Sequence, residues 1–282
     1  MSEASRFRQE VSLRTFLGRL IGASILPVLL LALWLAYDSV RTDRAQQDRE
    51  AGQLARNIAS AIDEHLEIRM RGLNMLAISP LLDDRARWAD LYAEAQGFRK
   101  SFDSHVILAD VGEPMRMLFN TRVPFGDPLP LLPRPKGHAA APTAVVTLKP
   151  AVGDSFIGPV ASEPLVAIAV PALREGRPAF ILVTTLETRQ FQTRLDQFVL
   201  PEGWAISLLD GRGDVIAHRA PPGFDPAREM DPAGRFVVSS AVSPWSVTLE
   251  IPRRLQRAQT LATGIVLGLG LLAATLAGML LG

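Results

Sequence analysis

Two stretches without a charge, one near each end, constrain this chain more than anything between them. Leu20 to Tyr37 reads LIGASILPVLLLALWLAY, eighteen residues, and Ala262 to Gly282 reads ATGIVLGLGLLAATLAGMLLG, twenty-one residues. A helix needs about 20 apolar residues to cross a hydrocarbon core of roughly 30 Å, so both runs are expected to span a membrane. Trp34 and Tyr37 stand at the end of the first run, where aromatic belts belong. They also occupy the place where a cleaved leader would carry small residues, so an uncleaved anchor is expected. Arg6, Arg8, Arg14 and Arg19 precede the first run against only Glu3 and Glu10. That excess places the N-terminus in the cytoplasm and residues 38–261 outside the membrane, in a bacterial periplasm or its equivalent.

Composition narrows what the exported part can do. The 30 basic and 29 acidic residues nearly cancel and form no block of one sign, which gives no basis for a nucleic-acid surface. There is no cysteine, hence no disulfide framework, thiolate metal site or cysteine nucleophile.

From Asp38 to about Leu82 the pattern is helical. Leu54, Ile58, Ile62, Leu66, Met70 and Leu73 recur at spacings of three and four and form one apolar stripe. Part of this stripe is expected to pack on a sheet and part to pair with a second copy. Pro80 ends the pattern, and a shorter helix is expected from Arg85 to Phe102. The period then changes to two. Strands are expected at 105–109, 115–120, 155–160, 165–171 and 179–186, with a long excursion rich in Pro and Gly over 122–153. A helix at 187–198 leads to a second set of strands, at 204–210, 215–218, 236–242 and 246–251. The expected class is α+β: a long stalk helix carrying two PAS-like antiparallel-sheet modules, flanked by two membrane helices. The expected parts are a cytoplasmic N-terminus (1–19), a first span (20–37), a stalk (38–84), a membrane-distal module (85–198), a membrane-proximal module (199–252), and a helix with the second span (253–282).

Three strings carry a resemblance. VILADVGEPMRMLFNTRVPFGDPLP resembles the first hairpin of Cache sensors fused to histidine kinases. GPVASEPLVAIAVPALREGRPAFILVTTL resembles the strand pair that follows, and LPEGWAISLLDGRGDVIAHR the opening of a second module. Over residues 38–261 the chain resembles the double Cache sensor family of bacterial transmembrane receptors, most closely those of sensor histidine kinases. The resemblance implies an extracytoplasmic small-molecule sensing input for a two-component system. Diguanylate cyclases and chemoreceptors share the input fold, and a membrane-anchored partner subunit is the other alternative. No phosphoacceptor-histidine helix, ATP-binding domain or cyclase domain is present in this chain, so it is expected to be no enzyme. The amino-acid-binding branch carries an aromatic and Arg motif on the helix before the sheet; RARWADLYAEAQGFRK supplies Trp88 and Tyr92 but departs from that motif.

The remaining chemistry is sparse. His65, His105, His138 and His218 stand singly and none pairs at metal-ligand spacing, so no metal and no cofactor are expected. DGRGD, Asp210 to Asp214, reads as a turn. GDSFIG around Ser155 lacks the GxSxG spacing of a nucleophile elbow. A pocket in the first module is left as the candidate site. An anion, one form its ligand can take, needs an Arg fork and neutral donors. Arg122 leaves the second strand directly, and Asn120 and Arg116 share its parity, which puts all three on one face of a regular strand. Trp88 and Tyr92 are expected to supply an apolar wall, and Asp154 and Ser155 to close the pocket. In NTRVPFGDPLP (120–130) the prolines stop the strand, Gly126 allows a turn, and Phe125 is expected to bury. The stalk stripe and the Gly/Ala-rich second span both offer a helix partner, which points to a homodimer.

Overall fold

Leu54, Ile58, Ile62, Leu66, Met70 and Leu73 lie on one face of helix α1 (Leu13–Ala77), and both sheets are built against that face. A computed structural model describes residues 13–224 and 234–252. Ala51–Pro252 is one compact unit and holds all the strands among the described residues; the part of α1 before Ala51 belongs to the other. Among the described residues no helix is long and apolar enough to cross a membrane. Most side chains of the first expected span lie outside the described set, and the second span lies wholly outside the described residues.

α1 ends at Ala77, three residues before Pro80. The hydroxyl of Ser79 accepts the backbone N–H of Leu81 and starts a short 3₁₀ turn, Pro80–Asp83. Helix α2 (Trp88–Phe102) follows. Among the described residues the first sheet runs β2 (Met117–Asn120), β1 (His105–Ala109), β6 (Arg177–Glu187), β5 (Pro164–Arg174), β3 (Ala151–Val152), with β4 (Phe156–Ile157) also on β5. Its neighbouring strands are all antiparallel. The central β5 and β6 are apolar on both faces, as befits strands covered on both sides. Val106, Leu108, Val170 and Leu182 face α1 and α2. Ile107, Ala109, Ala167, Ile181 and Val183 face the other way, towards helix α3 (Ala140–Thr147).

Neither α3 nor β3 is expected from the sequence, which reads as an irregular excursion there. α3 forms because Pro142 falls in its first turn, where the missing N–H would find no helical partner in any case. The expected strand over 155–160 shrinks to the two residues of β4. The loop that follows is closed by the Ser162 N–H on the Gly158 carbonyl.

Helix α4 (Thr188–Gln197) leads to the second sheet, ordered β8 (Val215–Arg219), β7 (Ala205–Leu209), β10 (Ser246–Glu250), β9 (Arg235–Ser239). Ile58, Ile62 and Leu66 of α1, Val166, Ile168 and Leu186 of the first sheet, and Ile206, Leu208 and Val247 of the second belong to one continuous core. Phe191 of α4 sits at its centre, edge-on to Trp245 and to His65. The apolar stripe from Leu54 to Leu73 is thus taken up by the chain's own sheets.

Because that core joins both sheets, they are expected to unfold together. Phe191→Ala should cost about 3–5 kcal/mol, the usual range for emptying a buried aromatic site. Urea unfolding followed by far-ultraviolet dichroism and by tryptophan emission checks this: a single shifted transition is expected, and two separate ones would contradict a shared core.

Candidate functional site

The face of the first sheet turned away from α1 carries a narrow, partly open cleft. Its floor is Ile107, Asn120, Ala167, Val183 and Thr185; its walls are Pro133, Pro135, Ala140 and Ala141 on one side and Gly158 to Ala161 on the other. The excursion after β2 therefore has a structural purpose. A bridge between Arg116 and Leu131 holds its start to the sheet, and α3 packs its alanines onto the floor.

Of the candidate residues, Asn120, Arg122 and Asp154 line the cleft, whereas Arg116, Trp88, Tyr92 and Ser155 do not. Arg116 is displaced by a bulge. β1 pairs Leu108 with Phe119 and Ala109 with Met117, which leaves Leu118 as an extra residue. One inserted residue flips the parity of a strand. Met117 and Asn120 therefore share the cleft face, and Arg116 is exposed with its N–H on the Asp110 carboxylate. Trp88 and Tyr92 lie on the opposite face. Trp88 packs edge-on to Phe180, and its indole donates to the Leu82 carbonyl. Tyr92 packs on Phe119 and donates its hydroxyl to the Val123 carbonyl. Phe125, expected to bury, is 43% exposed and leans on Tyr92 at 5.5 Å. Gly126, at φ 95°, makes the turn the sequence expects.

Arg122 is not a free cation. Its guanidinium lies 3.5 Å from Glu163 and 3.5 Å from Glu187, and its side chain is 14% exposed. Arg189 pairs with the same two carboxylates. Asn120 is buried, and its Oδ1 accepts the Arg122 backbone N–H at 3.0 Å. That bond fixes the amide with its NH₂ group near the Met117 sulfur, at 3.9 Å. Thr185, 4% exposed, has a hydroxyl with no hydrogen-bond partner among the described residues. The sequence offers a faint signal for Thr185: a polar residue at an inward position of the apolar run ILVTTL.

Asp154 and Ser155 serve a different end. Asp154 is fully buried and accepts the backbone N–H of His138 at 2.7 Å and of Gly211 at 2.8 Å. Ser155 turns from the cleft and gives both its N–H and its hydroxyl to Asp210. Asp210 also accepts the N–H groups of Arg212 and Asp214, so DGRGD is a turn that the same carboxylate docks on the first sheet. Those bonds hold the Asp210 carboxyl below its ordinary value against the opposing effect of burial. A Cβ on Gly211 would meet Asp154 at 2.8 Å, which is why the turn needs glycine there.

Among the described residues no group of three or more His, Cys, Asp or Glu side chains is placed to hold a metal ion. Burial, then the charges of Arg69 and Arg194, push His65 down to about 3. Its Nδ1 lies 3.0 Å from Arg69 Nη1, so it accepts from that guanidinium and stays unprotonated. Burial, then Arg122 and Arg99, push His105 down to about 4, against smaller opposing effects from Thr121 and Glu187.

No protein-family model matches the sequence, and no curated protein matches it. Solved structures do. The ligand-binding domain of the Pseudomonas fluorescens chemoreceptor CtaA, in complex with L-isoleucine, aligns with a TM-score of 0.55 at 12% identity over 79% of this chain and 98% of that one. The ligand-binding domain of the Pseudomonas aeruginosa amino acid chemoreceptor PctC, in complex with GABA, gives 0.51 at 16% over 73% and 100%. That of Campylobacter jejuni Tlp3, with L-norvaline, gives 0.54 at 11% over 76% and 93%. The chain thus has the fold of chemoreceptor ligand-binding domains, the mixed helix and antiparallel-sheet arrangement that the Cache resemblance implies.

The two depressed histidines give stability a pH dependence of known sign. Above pH 6.5 both are neutral folded or unfolded; below it the unfolded chain binds protons that the folded chain refuses down to about 4 at His105 and about 3 at His65. Urea midpoints are therefore expected to fall as pH drops from 6.5 towards 4. His65→Gln and His105→Gln should each flatten part of that slope, and an unchanged slope in both would contradict the assignment.

Proposed function

We propose that Ala51–Pro252 is the extracytoplasmic sensing input of a membrane receptor, and that a small molecule in the cleft is its signal. The observation that carries this reading is the cleft itself: an apolar hollow with a few fixed polar groups, one of them a buried hydroxyl still lacking a partner, on the open face of the sheet. The chemoreceptor fold supports it. The signal can act only through a difference in affinity between two arrangements of the protein. Asp154 lies in the cleft wall and bonds to the second sheet's turn, so it is the natural route from the ligand to the membrane-proximal end. The second span would carry the change across the membrane to an output of the histidine-kinase type, within a homodimer. A chemoreceptor output is the second reading, favoured by the identity of the solved neighbours. Leu30, Leu31, Trp34 and Leu35 stand exposed on α1, which supports anchoring in a bilayer.

The test uses the full chain in lipid nanodiscs, screened by thermal shift against small neutral and charged metabolites. A ligand present at 100 times its Kd should stabilise the folded form by about 2.7 kcal/mol. Ala161→Trp, which fills the cleft from an outer loop, should abolish the shift while leaving the unliganded melting point close to wild type. A shift that survives Ala161→Trp would place binding elsewhere. The topology has its own test, because the chain contains no cysteine. Val199 is 89% exposed, so Val199→Cys in intact cells should react with a membrane-impermeant maleimide added outside. Labelling only after lysis would reverse the orientation.

A further inference from the structure

The charges around the cleft decide what it can hold. Among the described residues that line it, only Arg122 and Asp154 are ionisable. Arg122 already faces two carboxylates, Glu163 and Glu187, each at 3.5 Å. Asp154 already accepts two backbone N–H groups and lies 3.9 Å from Arg212. A carboxylate entering the cleft would find a cation whose charge is met, and an ammonium would find a carboxylate whose lone pairs are in use. Burying either without a counter-charge is costly. His105 pairs with Thr185 across the strands but is not among the residues that line the cleft, and burial keeps it neutral at ordinary pH, so it brings no positive charge to an anion there.

What stays open is neutral. The NH₂ group of Asn120 has only the Met117 sulfur at 3.9 Å, a weak acceptor. The Thr185 hydroxyl has no partner among the described residues. The register puts Asn120 opposite Ile107 on β1, and Ile107 opposite Val183, two residues before Thr185 on the same face. Two strand spacings across and two residues along separate their backbones by roughly 12 Å, with apolar side chains between them. Resting on the sensory reading of the same cleft, we propose that its ligand is an uncharged, largely apolar small molecule whose neutral oxygen or amide groups pair with the Asn120 amide and the Thr185 hydroxyl.

A series with one six-carbon chain and four head groups tests this on the full chain in nanodiscs: hexanamide, hexanoate, hexylammonium and norleucine, compared by calorimetry and thermal shift at millimolar concentration. Hexanamide is expected to bind at least tenfold more tightly than any charged member. Thr185→Val removes a hydroxyl without unpairing any described group; it should weaken hexanamide about tenfold and leave the unliganded melting point unchanged or higher. Glu163→Gln with Glu187→Gln uncovers the Arg122 charge and should raise hexanoate affinity at least tenfold. Hexanoate or norleucine binding the wild-type chain as tightly as hexanamide, with Ala161→Trp blocking it, would overturn the neutral-ligand assignment and leave the sensory reading standing. Binding by none of the four would overturn both.

Discussion

The structure depends on one strip of α1. Six apolar side chains from Leu54 to Leu73, with Ala51, Ala55 and Ala59 beside them, give the first sheet, α4 and the second sheet a common surface to cover. The alanines matter as much as the large residues. They let neighbouring backbones approach the helix closely, so the larger side chains interlock and leave few voids. Without this strip the second sheet would have no core of its own. Ile206, Leu208 and Val247 of its strands, and Trp245 just before β10, are buried in company with Phe191 and α1. Two modules that look separable in the strand order are a single cooperative body in their packing.

On that rigid base the two faces of the first sheet divide the work. The face on α1 and α2 is closed by aromatic packing around Trp88, Tyr92 and Phe119. The opposite face is covered by the alanines of α3 and by prolines from irregular segments, and it keeps a hollow. Small side chains and loops cover a sheet less completely than long aromatic ones do, and they can move without disturbing the core. The polar bonds follow the same division. Arg69 sits deep behind the closed face and binds the Ser104 hydroxyl and the Phe102 carbonyl, a static brace between α1 and the end of α2. Asp154 and Asp210 lie where the open face meets the second sheet, and their partners belong to both.

Much of this fold is legible in the sequence, because it rests on periodicity. The stalk stripe has a helical period, and β1, β6 and β7 alternate or run apolar at the expected places; their edges shift by a residue or two. The failures have physical causes. α3 hides because its sequence, AAPTAVVT, lies inside the excursion rich in Pro and Gly over 122–153 that reads as irregular, whereas its position within the first turn makes Pro142 harmless. Counting in twos puts Arg116 on the cleft face, and one bulged residue at Leu118 breaks the count. Arg122 was found by its position after β2, but Glu163 and Glu187 lie 41 and 65 residues further on, and no local pattern announces the pairing. The Asp210 and Ser155 bonds are hidden for the same reason: a turn signal says how a chain reverses, not what the turn will touch.

Gly153 shows what such a junction implies for the form of a response. Its N–H donates to the Ala167 carbonyl of β5, and its own carbonyl accepts the indole N–H of Trp245 from the second sheet, at 3.0 Å. The residue also borders the cleft. A Cβ there would meet the Ala140 nitrogen and the His138 carbonyl at 2.9 Å, so no side chain cushions the contact. Two successive peptide units that meet at this residue are thus tied to different sheets, so a displacement of one sheet is felt by the other through a single Cα. On the sensory reading, each molecule would then be in one arrangement or the other, and a weak occupant of the cleft would give a partial response by shifting fewer molecules rather than by moving each of them less.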